Sequence, residues 1–294
     1  MEPTECRQRG VRIDMREIRT DQIVQAVREM CVEANYDLGS EMLKALEEAL
    51  QVEESPIGKD ILRQLLDNAR IASDEKVPMC QDCGMTMVFA EMGQDVHIGG
   101  GYWLDAINEG VRLGYQEAYL RKSVLNDPVH RINTQDNTPA VVHLDLVPGD
   151  SLKLMVAPKG GGAENMARLK MLKPSDGREG IKQFVLETVS QAGPNPCPPI
   201  ILGVGLGGTF EKAALISKKA LFRPLGSPHP DPDIAAWEKE LLQAVNALGI
   251  GPQGLGGRIT ALAVHVEVFA CHIASLPVAI SINCHAHRHR ERTL

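Results

Sequence analysis

The stretch PMCQDCGMT, Pro78–Thr86, marks the place where one sequence pattern gives way to another. Before it, from Asp21 to Arg70, apolar residues recur at helical spacing: Ile23, Val24, Val27 and Met30, then Met42, Leu43, Leu46 and Leu50, then Ile61, Leu62, Leu65 and Leu66. Breaks near Tyr36–Ser40 and Ser55–Gly58 divide this pattern into three predicted helices. After it the chain turns mixed. Thr86–Ala90 reads as a strand and Leu104–Leu120 as a helix. Val141–Val147 and Leu152–Ala157, flanking Pro148-Gly149-Asp150, read as a hairpin. Helices are expected at Gly180–Gln191, Phe210–Leu221 and Pro232–Leu248, and strands at Leu262–Phe269 and Pro277–Asn283. Strand and helix do not alternate regularly, no linker stands out and no internal repeat is visible. The reading is α+β, a helical N-terminal layer followed by mixed strands and helices, in one domain over 15–294. Residues 1–14 read as a dispensable leader, with Met15 an alternative start.

The 294 residues, 44% hydrophobic and 23% charged, have the balance of an ordinary globular protein. A net charge of −7 argues against a nucleic-acid-binding surface. An anionic substrate would need cations gathered locally against that background. The N-terminus has no apolar core of a secretory signal, and no run approaches membrane-spanning length, so neither membrane nor export is expected. Seven cysteines, an odd number scattered at 6, 31, 80, 83, 197, 271 and 284, fit a reducing cytoplasm better than a disulfide framework.

One motif points elsewhere. In PPIILGVGLGGTF, Pro198–Phe210, Gly203, Gly205 and Gly208 satisfy the dinucleotide-binding fingerprint after an apolar run and before a helix. No second strand ending in Asp or Glu follows about 20 residues on. The chain there is the proline-rich RPLGSPHPDPD. The motif also lies deep in the chain, outside a recognisable βαβ unit, and directly after Cys197. These glycines are better read as allowing close backbone packing, or as offering amides at the helix start near Thr209 to an anion.

The cysteines differ in context. Cys6 lies in the leader and Cys31 in a helical apolar pattern, and both read as inert. Cys271, in EVFACHIASLP, reads as a small buried residue. Cys197 stands in Asn195-Pro-Cys-Pro-Pro, where the prolines restrict it to an extended conformation. Cys284 ends a predicted strand and opens NCHAHRH, whose His285, His287 and His289 read as solvated. Cys80 and Cys83 form a Cys-x-x-Cys pair, which leaves a zinc or thiol-redox protein open as a reading. The second ligand pair of a zinc site is missing, and Gly84 with β-prone residues after it does not offer the helix start of a redox motif.

Six motifs in order narrow the choice: Cys80-Gln81-Asp82-x-Gly84, NTQDNTPA (Asn133–Ala140), KGGGAENM (Lys159–Met166), NPCPPIILGVGLGGTFEKAA (Asn195–Ala214), GPQGLGG (Gly251–Gly257) and NCHAHR (Asn283–Arg288). Together they resemble the α subunit of class I, iron–sulfur fumarate hydratases, from about Met15 to Arg288. The related L-tartrate dehydratase α subunit shares the cysteines and GPQGL, while KGGGAENM and GGTFEKA look more like the fumarase branch. The resemblance implies a [4Fe–4S] cluster held by Cys80, Cys197 and Cys284, leaving one iron open as a Lewis acid. It implies that Gln81, Asp82, Arg121, Gly162, Asn165 and His272 contact substrate or water near the cluster. Asp82 and His272 would be catalytic and the others substrate-binding. Arg121 offers a planar fork to a carboxylate, and His272 could carry a proton. The implied reaction is reversible hydration of fumarate to (S)-malate, with tartrate dehydration as the alternative. A separate β subunit is expected to close the site, giving a hetero-oligomer. One departure stands out: the family usually carries Thr where this chain has Cys83, and a thiol there could reach the open iron.

Overall fold

The computed structural model describes residues 15–294, so the expected leader and its Cys6 lie outside the described residues. A short strand β1 (Arg16–Arg19) precedes the three expected helices, α1 (Thr20–Tyr36), α2 (Ser40–Val52) and α3 (Pro56–Glu75). Their limits are written in the sequence. Ser55 accepts from the Gly58 amide at the start of α3, with Pro56 at the first helical position. Of the predicted stripes, α1 buries Ile23, Val27 and Met30 and α2 buries Met42 and Leu46, while α3 fully buries Leu62 alone and leaves Ile61, Leu65 and Leu66 half-buried.

The mixed region follows as β2 (Met85–Gly93), β3 (Val96–Gly99), α4 (Trp103–Glu117), β4 (Val141–Val147), β5 (Leu152–Lys159), the single turn α5 (Gly161–Glu164) and β6 (Arg168–Leu172). Then come α6 (Gly177–Ala192), β7 (Ile200–Gly207), α7 (Phe210–Ala220), α8 (Pro232–Asn246), β8 (Ala261–Phe269), β9 (Leu276–Asn283) and β10 (Arg290–Thr293). The class is α+β, as expected. The strands form a β1-β3 pair, a sheet ordered β10-β5-β2-β4 and a sheet ordered β6-β9-β7-β8.

The expected hairpin is wrong in its pairing. β4 and β5 run in opposite directions, but β2 lies between them, parallel to β4 and antiparallel to β5. β2, like β5, is buried along most of its length and takes an interior place, while β4 exposes Leu144 and Leu146 at the edge. The turn at Pro148–Asp150 crosses the end of β2, where the amides of Gly93, Gln94 and Asp95 bond to the carbonyls of Ser151, Val147 and Gly149.

The glycines of the apparent nucleotide motif have a packing role. Gly203 and Gly205 lie within β7, every residue of which is buried. A Cβ on either would stand 2.0 or 2.1 Å from the carbonyl oxygen of Ser217 or Ala213, so α7 rests directly on the strand. The chain then crosses through α7 and α8 to β8, which is parallel to β7. One strand–helix–strand crossover therefore exists where the sequence reading found none.

The core has three parts. One lies between α6, α8 and the β6-β9-β7-β8 sheet, a second between α1, α4 and the other sheet. The third joins α2 and α3 to Met87 and Phe89 of β2, Ile201 of β7 and Ala263 of β8, with Cys80 and Cys284 packed against it. Among the described residues no helix is long and apolar enough to cross a membrane.

Candidate active site

Strand register brings distant cysteines to one place. β7 and β9 are antiparallel with Ile201 opposite Asn283, which sets the segment before β7, carrying Cys197, beside Cys284 just after β9. In the other sheet Met85 pairs with Lys159, so the Cys80–Gly84 segment meets the Lys159–Gly162 loop. Buried Arg288 ties the two halves: its Nη2 donates to the Asp82 carbonyl at 2.7 Å. The three thiols lie within electrostatic reach of one another. Burial pushes the Cys197 thiol up, and the neighbouring Cys284 and Cys80 add to the effect. Burial likewise raises Cys284, opposed by Arg288.

Cys197 is not extended. Its φ is 55°, because its amide closes a turn onto the Pro194 carbonyl at 2.9 Å, while its own carbonyl accepts from His285 N at 3.3 Å. The prolines instead brace the turn, Pro196 and Pro198 being buried and the cysteine exposed.

The two members of the Cys-x-x-Cys pair face different cores. Cys83 is buried in the core of α1 and α4, where its Sγ accepts from the Arg121 amide at 3.2 Å. Cys80 borders the core between the sheets, and its Sγ lies 3.2 Å from Gln81 Oε1. This divergence weighs against a two-thiol zinc or redox site.

Asp82 organises the glycine loop. One carboxylate oxygen accepts from Gly84 N at 3.0 Å and the other from Gly161 N at 2.7 Å. Gly162 in turn faces the Asn195 carbonyl in the Cys197 segment. Beside them opens a cavity of about 630 Å³ whose lining includes Asp82, Arg121, Gly161 and Asn165. Gln81 and Gly162 sit on the same two segments, outside that lining.

The same cavity holds groups that the sequence reading missed: Lys159, Glu164, Lys218 and His143. The reading found few cations here besides Arg121; the fold adds two lysines. Both pair with Glu164, Lys159 at 3.3 Å and Lys218 more closely. Burial would raise Glu164, but Lys159 and Lys218 outweigh it and hold the carboxyl below its usual range. Burial lowers Lys159 despite Glu164. His143, stacked on Phe89 with centroids 5.1 Å apart, is held low by burial and by Lys218. Lys159 stood in the KGGG motif and could have been noticed; Lys218 and His143 carry no local signal.

His272 is not brought to this group. It lies in the exposed turn between β8 and β9, beyond the opposite end of the strands that carry the Cys197 and Cys284 segments. Eight residues of β9 at about 3.3 Å each place it roughly 25 Å away along the sheet. Cys271 beside it is exposed, contrary to expectation. The histidine tract is not solvated either. His287 is buried, bonded to Asn283 at 2.6 Å and stacked on Phe222, because β10 pairs with β5 and draws the tract inward.

The donor set suits an iron–sulfur cluster. Among the described residues no group of three or more His, Cys, Asp or Glu is arranged to hold one metal ion. A cluster asks instead for separate thiolates around a larger body, with nearby donors or cations to balance its charge. Three thiols from three segments meet the first need. Buried Arg288, whose Nε has no hydrogen-bond acceptor, and buried Lys159, shared with Glu164, both act on the Cys284 thiol and meet the second.

The family model described as fumarate hydratase (Fumerase) matches residues 24–293. A protein of Methanocaldococcus jannaschii carrying the provisional name L(+)-tartrate dehydratase subunit alpha is 45% identical over 270 residues, 90% of this chain and 94% of its own. The L(+)-tartrate dehydratase subunit alpha of Escherichia coli O157:H7 is 38% identical over 251 residues, 83% of this chain and 80% of its own. That of Escherichia coli K12 is 37% identical over the same length. With nearly the whole chain matched, the protein belongs to the fumarate hydratase (Fumerase) family of iron–sulfur hydro-lyase alpha subunits.

Proposed function

We propose that residues 15–294 form one catalytic domain, the α subunit of a two-subunit hydro-lyase that binds a [4Fe–4S] cluster through Cys80, Cys197 and Cys284. Its substrates would be four-carbon dicarboxylates. The observation that carries the reading is the meeting of three cysteine segments beside a cavity lined by Arg121, Lys159 and Lys218. When bound, the cluster would supply a Lewis-acidic iron with an open position.

The chain's own residues would do the rest. Arg121 presents a guanidinium fork to a substrate carboxylate. Lys159 and Lys218, already shared by Glu164, balance negative charge that develops during proton removal. Asp82 keeps the Gly160–Gly162 segment against the Cys80 segment, and Asn165 offers an exposed side-chain amide on the cavity rim. Gln81, beside Cys80, would bind substrate or water. His272, distant from the cysteine segments, lines a neighbouring cavity that shares Phe210 and Glu211 with this one, and a catalytic role for it would act from that side. Relatives named as alpha subunits support a separate β partner that completes the site and excludes water.

Reversible hydration of fumarate to (S)-malate is the first reading, favoured by KGGGAENM and GGTFEKA. L(+)-tartrate is the second, favoured by the names of the relatives. The test is an anaerobic assay of the reconstituted chain with its partner on fumarate, malate and both tartrates. Turnover of fumarate and malate above tartrate is expected; the reverse order selects the second reading. Absence of all turnover at full cluster content overturns both.

A further inference from the structure

The GPQGLGG segment is a conspicuous motif that lines no part of the cavity, and its place in the fold points to another task. It begins at a buried carboxylate. Glu53, at the α2–α3 corner, is 1% exposed, yet it makes no ion pair among the described residues. Its Oε1 accepts from the amides of Glu54 at 2.8 Å, Ser55 at 2.9 Å and Arg258 at 2.9 Å. Its Oε2 accepts from Ile259 N at 2.8 Å. Two donors are local and two come from the distant end of the GPQGLGG loop. The carboxylate thus fastens that loop to the helical layer by charge-assisted bonds.

The other end of the loop grips the Cys197 segment. Gln253 donates to the Pro198 carbonyl twice, from its backbone amide and from Nε2, each at 2.8 Å. It does so at a φ of 53°, an unfavourable region for a residue with a side chain. Gly254 passes so close to Pro194 that a Cβ there would stand 2.4 Å from the Pro194 Cβ. The Thr260 carbonyl, one residue past the Glu53 contacts, accepts from Ile200 N at 2.9 Å. The loop therefore touches the chain before Cys197, directly after it and three residues on.

We propose that Glu53 and Gln253 are positioning residues for Cys197: the Glu53 carboxylate anchors the 251–260 loop, and Gln253 holds the thiol's turn in its pose. The inference rests on Cys197 being a cluster ligand. Cys197 stands on an exposed turn with a left-handed backbone, closed by its own bond to the Pro194 carbonyl and by the His285 amide. The loop adds restraint from behind, on both sides of that turn.

The experiment uses the reconstituted, cluster-loaded protein challenged anaerobically with an iron chelator. Loss of visible absorption is followed alongside alkylation of individual cysteines by peptide mass. Glu53→Gln and the milder Gln253→Met, which keeps the backbone donor, are compared with the native chain. Both variants should lose the cluster and expose Cys197 about 10-fold faster. Buried Cys31 should stay protected and exposed Cys271 should react at its native rate, readouts that separate aim from general unfolding. If Glu53→Gln does not fold, Gln253→Met decides alone. Native rates in folded Gln253→Met, or Cys31 reacting in step with Cys197, would overturn the proposal. A Cys197→Ala arm tests the underlying reading separately: full cluster content there removes Cys197 from the ligand set, whatever the other variants do.

Discussion

Single side chains set the cysteines of the described residues apart from one another. Cys83 faces the core of α1 and α4 and takes a hydrogen bond from the Arg121 amide, so it is expected to be silent toward iron. Cys83→Ala should reconstitute with native iron and sulfide content, whereas Cys80→Ala, Cys197→Ala and Cys284→Ala should each lose the visible absorption. Iron retained in Cys284→Ala and lost in Cys83→Ala would reverse the assignment. A second residue-level expectation concerns acid. His265 is buried under α7, with Nδ1 3.1 Å from the Ala220 carbonyl, and burial together with Arg223 lowers it from 6.5 to about 4. The unfolded chain therefore binds a proton on this ring at a pH where the folded chain does not. Its contribution favours the fold above about 6.5 and is lost progressively as pH falls from there toward about 4. Urea midpoints measured across that window should decline with acid. His265→Gln, which keeps a donor for Ala220, should flatten the decline by close to one proton; an unchanged slope would refute the assignment.

Elements show where sequence pattern reaches and where it stops. The three N-terminal helices were legible to within a few residues at each end, α3 running on past Arg70 to Glu75, because helical spacing, Ser55 and Pro56 are local signals. The strands flanking Pro148–Asp150 were legible as strands, yet not as neighbours, since β2 enters between them by contacts that no local turn specifies. β7 was hidden by its own glycines, which weaken a strand in propensity and are needed where α7 rests on it. The same logic runs through the site. The motifs of the family resemblance pointed to the cysteines, Asp82 and Arg121. Lys218 and His143 face the cavity only because of how α7 and β4 are placed, and the sequence alone gives no reason to choose them. The close packing of β7 gives an element-level prediction. Gly205→Val would drive a side chain into the α7 backbone, where a Cβ alone on Gly205 would already stand 2.1 Å from Ala213 O. Destabilisation of about 3 kcal/mol or more is expected, since backbone, unlike a side chain, cannot rotate aside. Chemical denaturation measures it, and a loss under about 1 kcal/mol would show that α7 can slide.

At the scale of the whole molecule, the proposed reading makes this cavity, with Arg121, Lys159 and Lys218 in its lining, half of a two-subunit site. Water entering such a half-site weakens each electrostatic contact within it. The chain alone, loaded with cluster, should therefore turn over fumarate far more slowly than the same chain with its β partner at matched iron content. Equal rates from a preparation free of β subunit would show that the site is complete without it. The way the site is built also has a bearing on the order of events in the cell. Cys80 is translated more than two hundred residues ahead of Cys284, which comes beside the Cys197 segment only when β9 has found β7. A ribosome-bound chain halted before that strand would have the first thiol and the second, with no third to meet them. On the proposed ligand set, metal loading would wait for β9 to be made and paired with β7.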